Sequence, residues 1–199
     1  MPNESFSNEI VVSPPSPWDY SSIKNLVHIW AEDAAVNGRS IFIPATQALF
    51  VYRFGNWVND PSRSRVGHAI GLLFYRAAWT YIRNYLGFEI VKGVKLGRRV
   101  HFAHQHGIVI APETEIGDDT LIHHGVTIGL RLATRPGESN KIGARIGRNV
   151  VIGAGAAIIG AVKIGDRANI GPNAVVMTNV PEDGSVVAAP SRILRLREQ

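Results

Sequence analysis

The chain has 199 residues, 45% of them hydrophobic and 19% charged, with 20 glycines and a formal net charge of +5. It holds no cysteine, which excludes disulfides, thiolate metal sites and a cysteine nucleophile. The basic residues are scattered and interleave with no aromatic module, so the expectation is no nucleic-acid partner; the surplus charge suits a solvated surface or a phosphate-bearing ligand.

Residues 1–20 carry Pro2, Pro14, Pro15 and Pro17 among Ser and Asn and read as a flexible tail. Glu4 and Glu9 stand where a secretory signal would be basic and then apolar, so a cytoplasmic location is expected. Residues 21–87 read as a helical segment. Ile23, Leu26, Val27 and Trp30 recur at spacings of three and four, the period of one helix face. A second run holds Ala48, Leu49, Val51, Tyr52 and Trp57. A third extends from Val66 to Tyr85, with Gly87 as its stop. The most apolar stretch of the chain, Val66 to Ile82, contains His68 and Arg76 and is too short and polar to span a bilayer, which leaves a peripheral contact with a membrane surface open.

From residue 88 the period changes to six. Ile90, Leu96 and Phe102 begin a series that resets by two residues at Ile110 and continues through Ile116, Ile122 and Ile128. After a polar break over residues 130–141 it resumes at Ile146 and runs through Ile152, Ile158, Ile164, Ile170 and Val176. Such periodicity marks a solenoid in which each unit gives a short strand and a turn. Three units close one triangular coil, with the recurring aliphatic pointing inward. Gly97, Gly117, Gly147, Gly153, Gly165 and Gly171 follow inward residues, where the chain must bend. The break would put Thr134 and Asn140 at inward sites, so it is expected to leave the prism as a loop. The expected fold is mainly β, a parallel β-helix of hexapeptide repeats over residues 88–180 with an α-helical N-terminal segment over 21–87. Residues 181–199 are expected to form a C-terminal tail.

Three stretches carry a resemblance: Gly125-Val126-Thr127-Ile128-Gly129, Val151-Ile152-Gly153-Ala154-Gly155-Ala156, and Asn169-Ile170-Gly171-Pro172-Asn173-Ala174-Val175-Val176. With Val180-Pro181 and Ala189-Pro190-Ser191-Arg192 they resemble the serine acetyltransferase branch of the hexapeptide-repeat acyltransferases over about half the chain. The resemblance implies a left-handed coil and an O-acetyltransferase that takes acetyl-CoA as donor and needs no metal. It also implies a homotrimer, with the cofactor lying between neighbouring prisms.

It further implies site residues. In Phe102-Ala103-His104-Gln105-His106-Gly107, His104 takes the place of the catalytic base. Glu89, fifteen residues earlier, takes the place of its supporting acid. An alcohol attacking a thioester must shed its proton, and a histidine oriented by a carboxylate suits that step. Gly129, Leu130, Ala154, Gly155, Pro172 and Arg192 fall where the branch holds CoA. Asp33, His106 and His124 are candidates for the acceptor. His123, adjacent to His124, is expected to face the other way, toward a subunit contact.

Two departures bear on the acceptor. The branch has an Asp before the base that helps hold the amino group of serine, and here it is Ala103. The branch's loop histidine, which helps hold the serine carboxylate, is missing from Arg131-Leu132-Ala133-Thr134-Arg135-Pro136-Gly137-Glu138-Ser139-Asn140. The chain also resembles exopolysaccharide acetyltransferases of the colanic acid type. The shared features are Asp33-Ala34-Ala35-Val36-Asn37-Gly38, Gly87-Phe88-Glu89-Ile90, Gly97-Arg98-Arg99 and the His123-His124 pair. The leading expectation is therefore transfer to a sugar hydroxyl in polysaccharide biosynthesis, with serine O-acetylation as the alternative. A zinc-dependent carbonic anhydrase of the same fold is a third reading, since five of the seven histidines lie between positions 101 and 124.

Overall fold

The computed structural model describes residues 18–130 and 142–190. Three helices lead into the β region: α1 (Ile23–Val36), α2 (Pro44–Val58) and α3 (Arg65–Tyr81). Ser22 caps α1 by accepting from the Asn25 amide, and Ser64 caps α3 by accepting from Gly67. Pro44 starts α2, where its missing amide costs no helical hydrogen bond. A π-helical turn, Ile82–Leu86, extends α3 and stops at Gly87, which takes φ +69°. On α1 the buried face is Leu26, Ile29 and Asp33; Ile23 and Val27, expected to share that face, are exposed.

The β region is a parallel β-helix with three faces. The first pairs Phe88–Ile90, Ile108–Ile110, Thr127–Gly129, Ala157–Ile159 and Val175–Val176 in that order. The second pairs Lys95–Leu96, Glu115–Ile116, Arg145–Ile146 and Lys163–Ile164. The third pairs His101–Phe102, Leu121–Ile122, Val151–Ile152, Asn169–Ile170 and Ser185–Val186.

The hexad series sets the register. Ile90, Ile110, Ile128, Ile158 and Val176 stand opposite one another on the first face. Leu96, Ile116, Ile146 and Ile164 do so on the second, and Phe102, Ile122, Ile152 and Ile170 on the third. Each of these side chains is buried, so the three columns are one continuous apolar core. The period survives because a coil has no other way to hide an aliphatic than to stack it on the coil below. The glycine column answers a second demand. A Cβ on Gly117 would come within 2.6 Å of the Gly147 backbone, and one on Gly97 within 2.7 Å of Gly117. Glycine stands there because adjacent coils touch backbone to backbone.

The helical segment is bolted to the first coil by polar side chains. Arg53 donates to the carbonyls of Leu96 and Gly97, and Tyr52 Oη donates to Val94 O at 2.7 Å while accepting from Leu96 N at 3.1 Å. Asn37 donates to Val100 O at 2.9 Å and accepts from Phe102 N at 2.9 Å. Trp18 and Tyr20, which composition assigned to a tail, are held as well. Trp18 Nε1 donates to Leu96 O at 3.1 Å, and buried Tyr20 accepts from Arg53. Among the described residues no helix is long and apolar enough to cross a membrane.

Candidate active site

The corner where the chain leaves the third face and enters the first is built from stacked turns. Gly125 N donates to His106 O at 3.0 Å, Gly155 N to His124 O at 3.0 Å, and Asn173 N to Ala154 O at 2.9 Å. Gly107, Gly125 and Gly155 occupy equivalent places at φ near +70°, where a side chain would be strained.

The first of these turns is longer than the rest. Ile90 and Ile110, adjacent in register, are twenty residues apart, whereas Ile110 and Ile128 are eighteen apart. The two additional residues fall after Phe102 and lift His104 onto the corner as an exposed side chain. The shift of phase visible in the sequence is thus the bulge that carries the candidate base. Asn37 fixes the backbone of Phe102, two residues before it, so the helical segment supports this loop directly.

His104 is grouped with two other histidines. Its ring centroid lies 5.7 Å from that of His124, edge to face, and 6.2 Å from that of His123. The strand ends at Ile122, so His123 and His124 lie in the turn and do not alternate. The expectation that they face opposite ways is corrected accordingly: both rings neighbour His104. His123 is the residue that sequence reasoning set aside. Its pKa is pushed below the ordinary value of 6.5 by burial first and then by the neighbouring His104, His124 and His101. His106 belongs to the same stack of turns, at φ +77°, with its Cα packed over Gly87.

Glu89 lies on the outward side of the first face, opposite Val109, and makes no described hydrogen bond or ion pair with His104. Of the residues expected along CoA, Ala154, Gly155 and Pro172 stack above the histidines on the same corner. Gly129 and Leu130 lie at the far end of the first face, where Gly129 O accepts from Gly160 N at 2.9 Å. One prism therefore splits them between two edges. Arg192 and residues 131–141, with Ser139 and Asn140, lie outside the described residues.

Asp33 requires a correction. It is 2% exposed and accepts from Arg53 Nε at 2.9 Å, so its carboxylate is taken up inside the fold and is not offered to an acceptor. Burial pushes its carboxyl pKa up, and the Arg53 charge opposes that. The Gly97-Arg98-Arg99 run has a structural explanation too. Arg98 Nε donates to Glu32 Oε2 at 2.7 Å, and Arg99 Nε to Asp119 Oδ1 at 2.6 Å. Among the described residues no group of three or more histidines and carboxylates is arranged to hold a metal ion.

Comparisons with known proteins bear on this corner. The family described as "Bacterial transferase hexapeptide (six repeats)" matches residues 143–177. A serine acetyltransferase of Helicobacter pylori strain J99 is 33% identical over 176 residues, which is 85% of this chain and 94% of that protein. The chain belongs to the serine acetyltransferase family. A second member, from Mycobacterium tuberculosis, is 34% identical over 76% of this chain, which spans 61% of that longer protein. Among solved structures, soybean serine acetyltransferase complexed with serine aligns with a TM-score of 0.64 at 25% identity, over 88% of this chain and 72% of that one. The family placement favours the alternative expected from sequence over the leading one, and these similarities lend no support to the exopolysaccharide branch.

Proposed function

We propose that this member of the family is an acetyl-CoA-dependent serine O-acetyltransferase in which His104 is the general base. The observation that carries the reading is the exposed His104 on the bulged corner, flanked by His123 and His124 and stacked beneath Ala154, Gly155 and Pro172. Membership in the family supports the reaction class, and serine as acceptor is proposed from the same likeness.

In this mechanism the His104 imidazole takes the proton from the serine hydroxyl as its oxygen attacks the thioester carbonyl carbon. The carbonyl oxygen becomes an oxyanion, for which backbone N–H groups are suitable donors. Collapse expels CoA sulfur, and the imidazolium returns the proton to it, giving the acetyl ester and free CoA thiol. Glu89 is proposed to orient His104 once the acceptor closes the site, since apo hydrogen bonds of catalytic groups are often long.

A homotrimer is part of the proposal. The outward column of the second face is charged, with Lys95, Glu115, Arg145 and Lys163. The two faces that meet at the histidine corner present Val109, Thr127, Ala157 and Val175 on one side and Leu121, Val151 and Asn169 on the other. Those faces suit contact with a neighbouring copy. One edge from each of two prisms would then reunite Gly129 and Leu130 with Ala154, Gly155 and Pro172.

A neutral hydroxyl acceptor such as a sugar is the second reading, favoured by Ala103 and by the engagement of Asp33 with Arg53. An ammonium group bound without a carboxylate would be costly. The experiment is acetyl transfer to L-serine and to a panel of sugars, followed by thiol release and product mass. O-Acetylserine as the main product supports the first reading. Transfer to a sugar with none to serine would overturn it.

A further inference from the structure

We propose that the outer face of α3 is a docking surface for anionic lipid bilayers, holding the protein at the membrane surface. α3 packs on α2 through one side only: Gly71 lies against Val58, and Tyr75 against Gly55. The opposite side is apolar and open. Val66 is 70% exposed, Ile70 55%, Leu73 70%, Phe74 65% and Tyr81 47%. At about 100° per residue, Val66, Ile70, Leu73, Ala77 and Tyr81 fall within about 80° of one another, so they form one stripe. The helix is about 25 Å long.

Charge decides what covers it. Residues 61–88 contain no Asp or Glu, while Arg65, Arg76 and Arg83 lie along the helix and its π-helical extension. Arg65 and Arg76 fall about 20° apart on the wheel, along one flank of the stripe. Arg83 stacks over Trp79 at 4.6 Å, and Tyr81 and Tyr85 stack at 5.7 Å, giving the far end an aromatic and basic rim. An apolar stripe edged by arginine and aromatic rings is the pattern of a helix that lies in the bilayer interface, its arginines among anionic headgroups. A second copy fits less well. Two such faces in contact would bring arginine rows together with no carboxylate on either helix to answer them. This surface is independent of the histidine corner and of the acceptor.

The test is flotation of the full chain with phosphatidylcholine vesicles, with and without phosphatidylserine, alongside sedimentation analysis and thiol-release assays. The intact protein floats with the phosphatidylserine vesicles and not with phosphatidylcholine alone, and added salt weakens binding. Leu73→Glu/Phe74→Glu abolishes flotation, with mass, melting temperature and turnover unchanged. Arg76→Glu keeps the stripe and weakens partition by roughly fivefold or more, since each arginine at such a surface contributes about that factor. Failure of the intact protein to float overturns the proposal, as does equal flotation of Leu73→Glu/Phe74→Glu. A lower assembly mass in either variant also overturns it, because a second copy would then be the occupant.

Discussion

Asp33 and Arg53 form an ion pair inside the helical segment, with Arg53 Nε donating to Asp33 Oδ2 at 2.9 Å and the guanidinium reaching on to the carbonyls of Leu96 and Gly97. The pair ties α1 and α2 to the coil that precedes the His104 bulge. Removing the carboxylate strands a buried cation, which typically costs about 3–5 kcal/mol. Asp33→Asn should therefore lower the melting temperature, at about 2–4 °C per kcal/mol for a chain of this size. The serine KM of the surviving folded protein should stay close to that of the parent. A raised KM with unchanged melting would return Asp33 to the acceptor site.

His123 gives the corner a pH dependence. Its pKa is lowered in the folded chain, so the fold favours the neutral ring. That contribution is present above the ordinary value of 6.5 and is lost as pH falls through the lowered value. Thermal melts across this range should show stability declining on acidification, and the decline should be shallower in His123→Gln. Equal slopes for the two proteins would remove His123 from the account.

The proposed trimer places one of the two less charged faces against a neighbour. Val151 is 37% exposed on the outward side of the third face, opposite Leu121. Val151→Glu should lower the mass seen by sedimentation and reduce acetyl transfer together, because the cofactor groove would open. Monomeric mass for the parent protein with acetyl-CoA present would contradict the trimer.

The solenoid was legible because its period has one physical cause: each inward aliphatic must stack on the next coil. The two-residue phase shift was legible as well, and it marks the bulge that carries His104. What the period could not convey is contact between distant segments. Asp33 looks like any polar residue on a helix until Arg53, twenty positions on, is folded against it. His123 and His124 looked opposed because alternation was assumed past Ile122, where the strand has ended. Gly97-Arg98-Arg99 was one of the features shared with the exopolysaccharide acetyltransferases, and Glu32 and Asp119 pair with its two arginines inside this fold. The choice of acceptor rested on Ala103 and the loop over residues 130–141, single departures set against similarity to a serine acetyltransferase spread over 85% of the chain.

The most direct measurement is turnover of acetyl-CoA with L-serine by His104→Ala, with acetyl-CoA binding followed in parallel by calorimetry. A general base contributes about 10²–10⁴-fold. The account predicts a fall in kcat of roughly that size with donor affinity nearly unchanged, and a smaller fall for Glu89→Gln. Turnover of His104→Ala at the rate of the parent protein would contradict it.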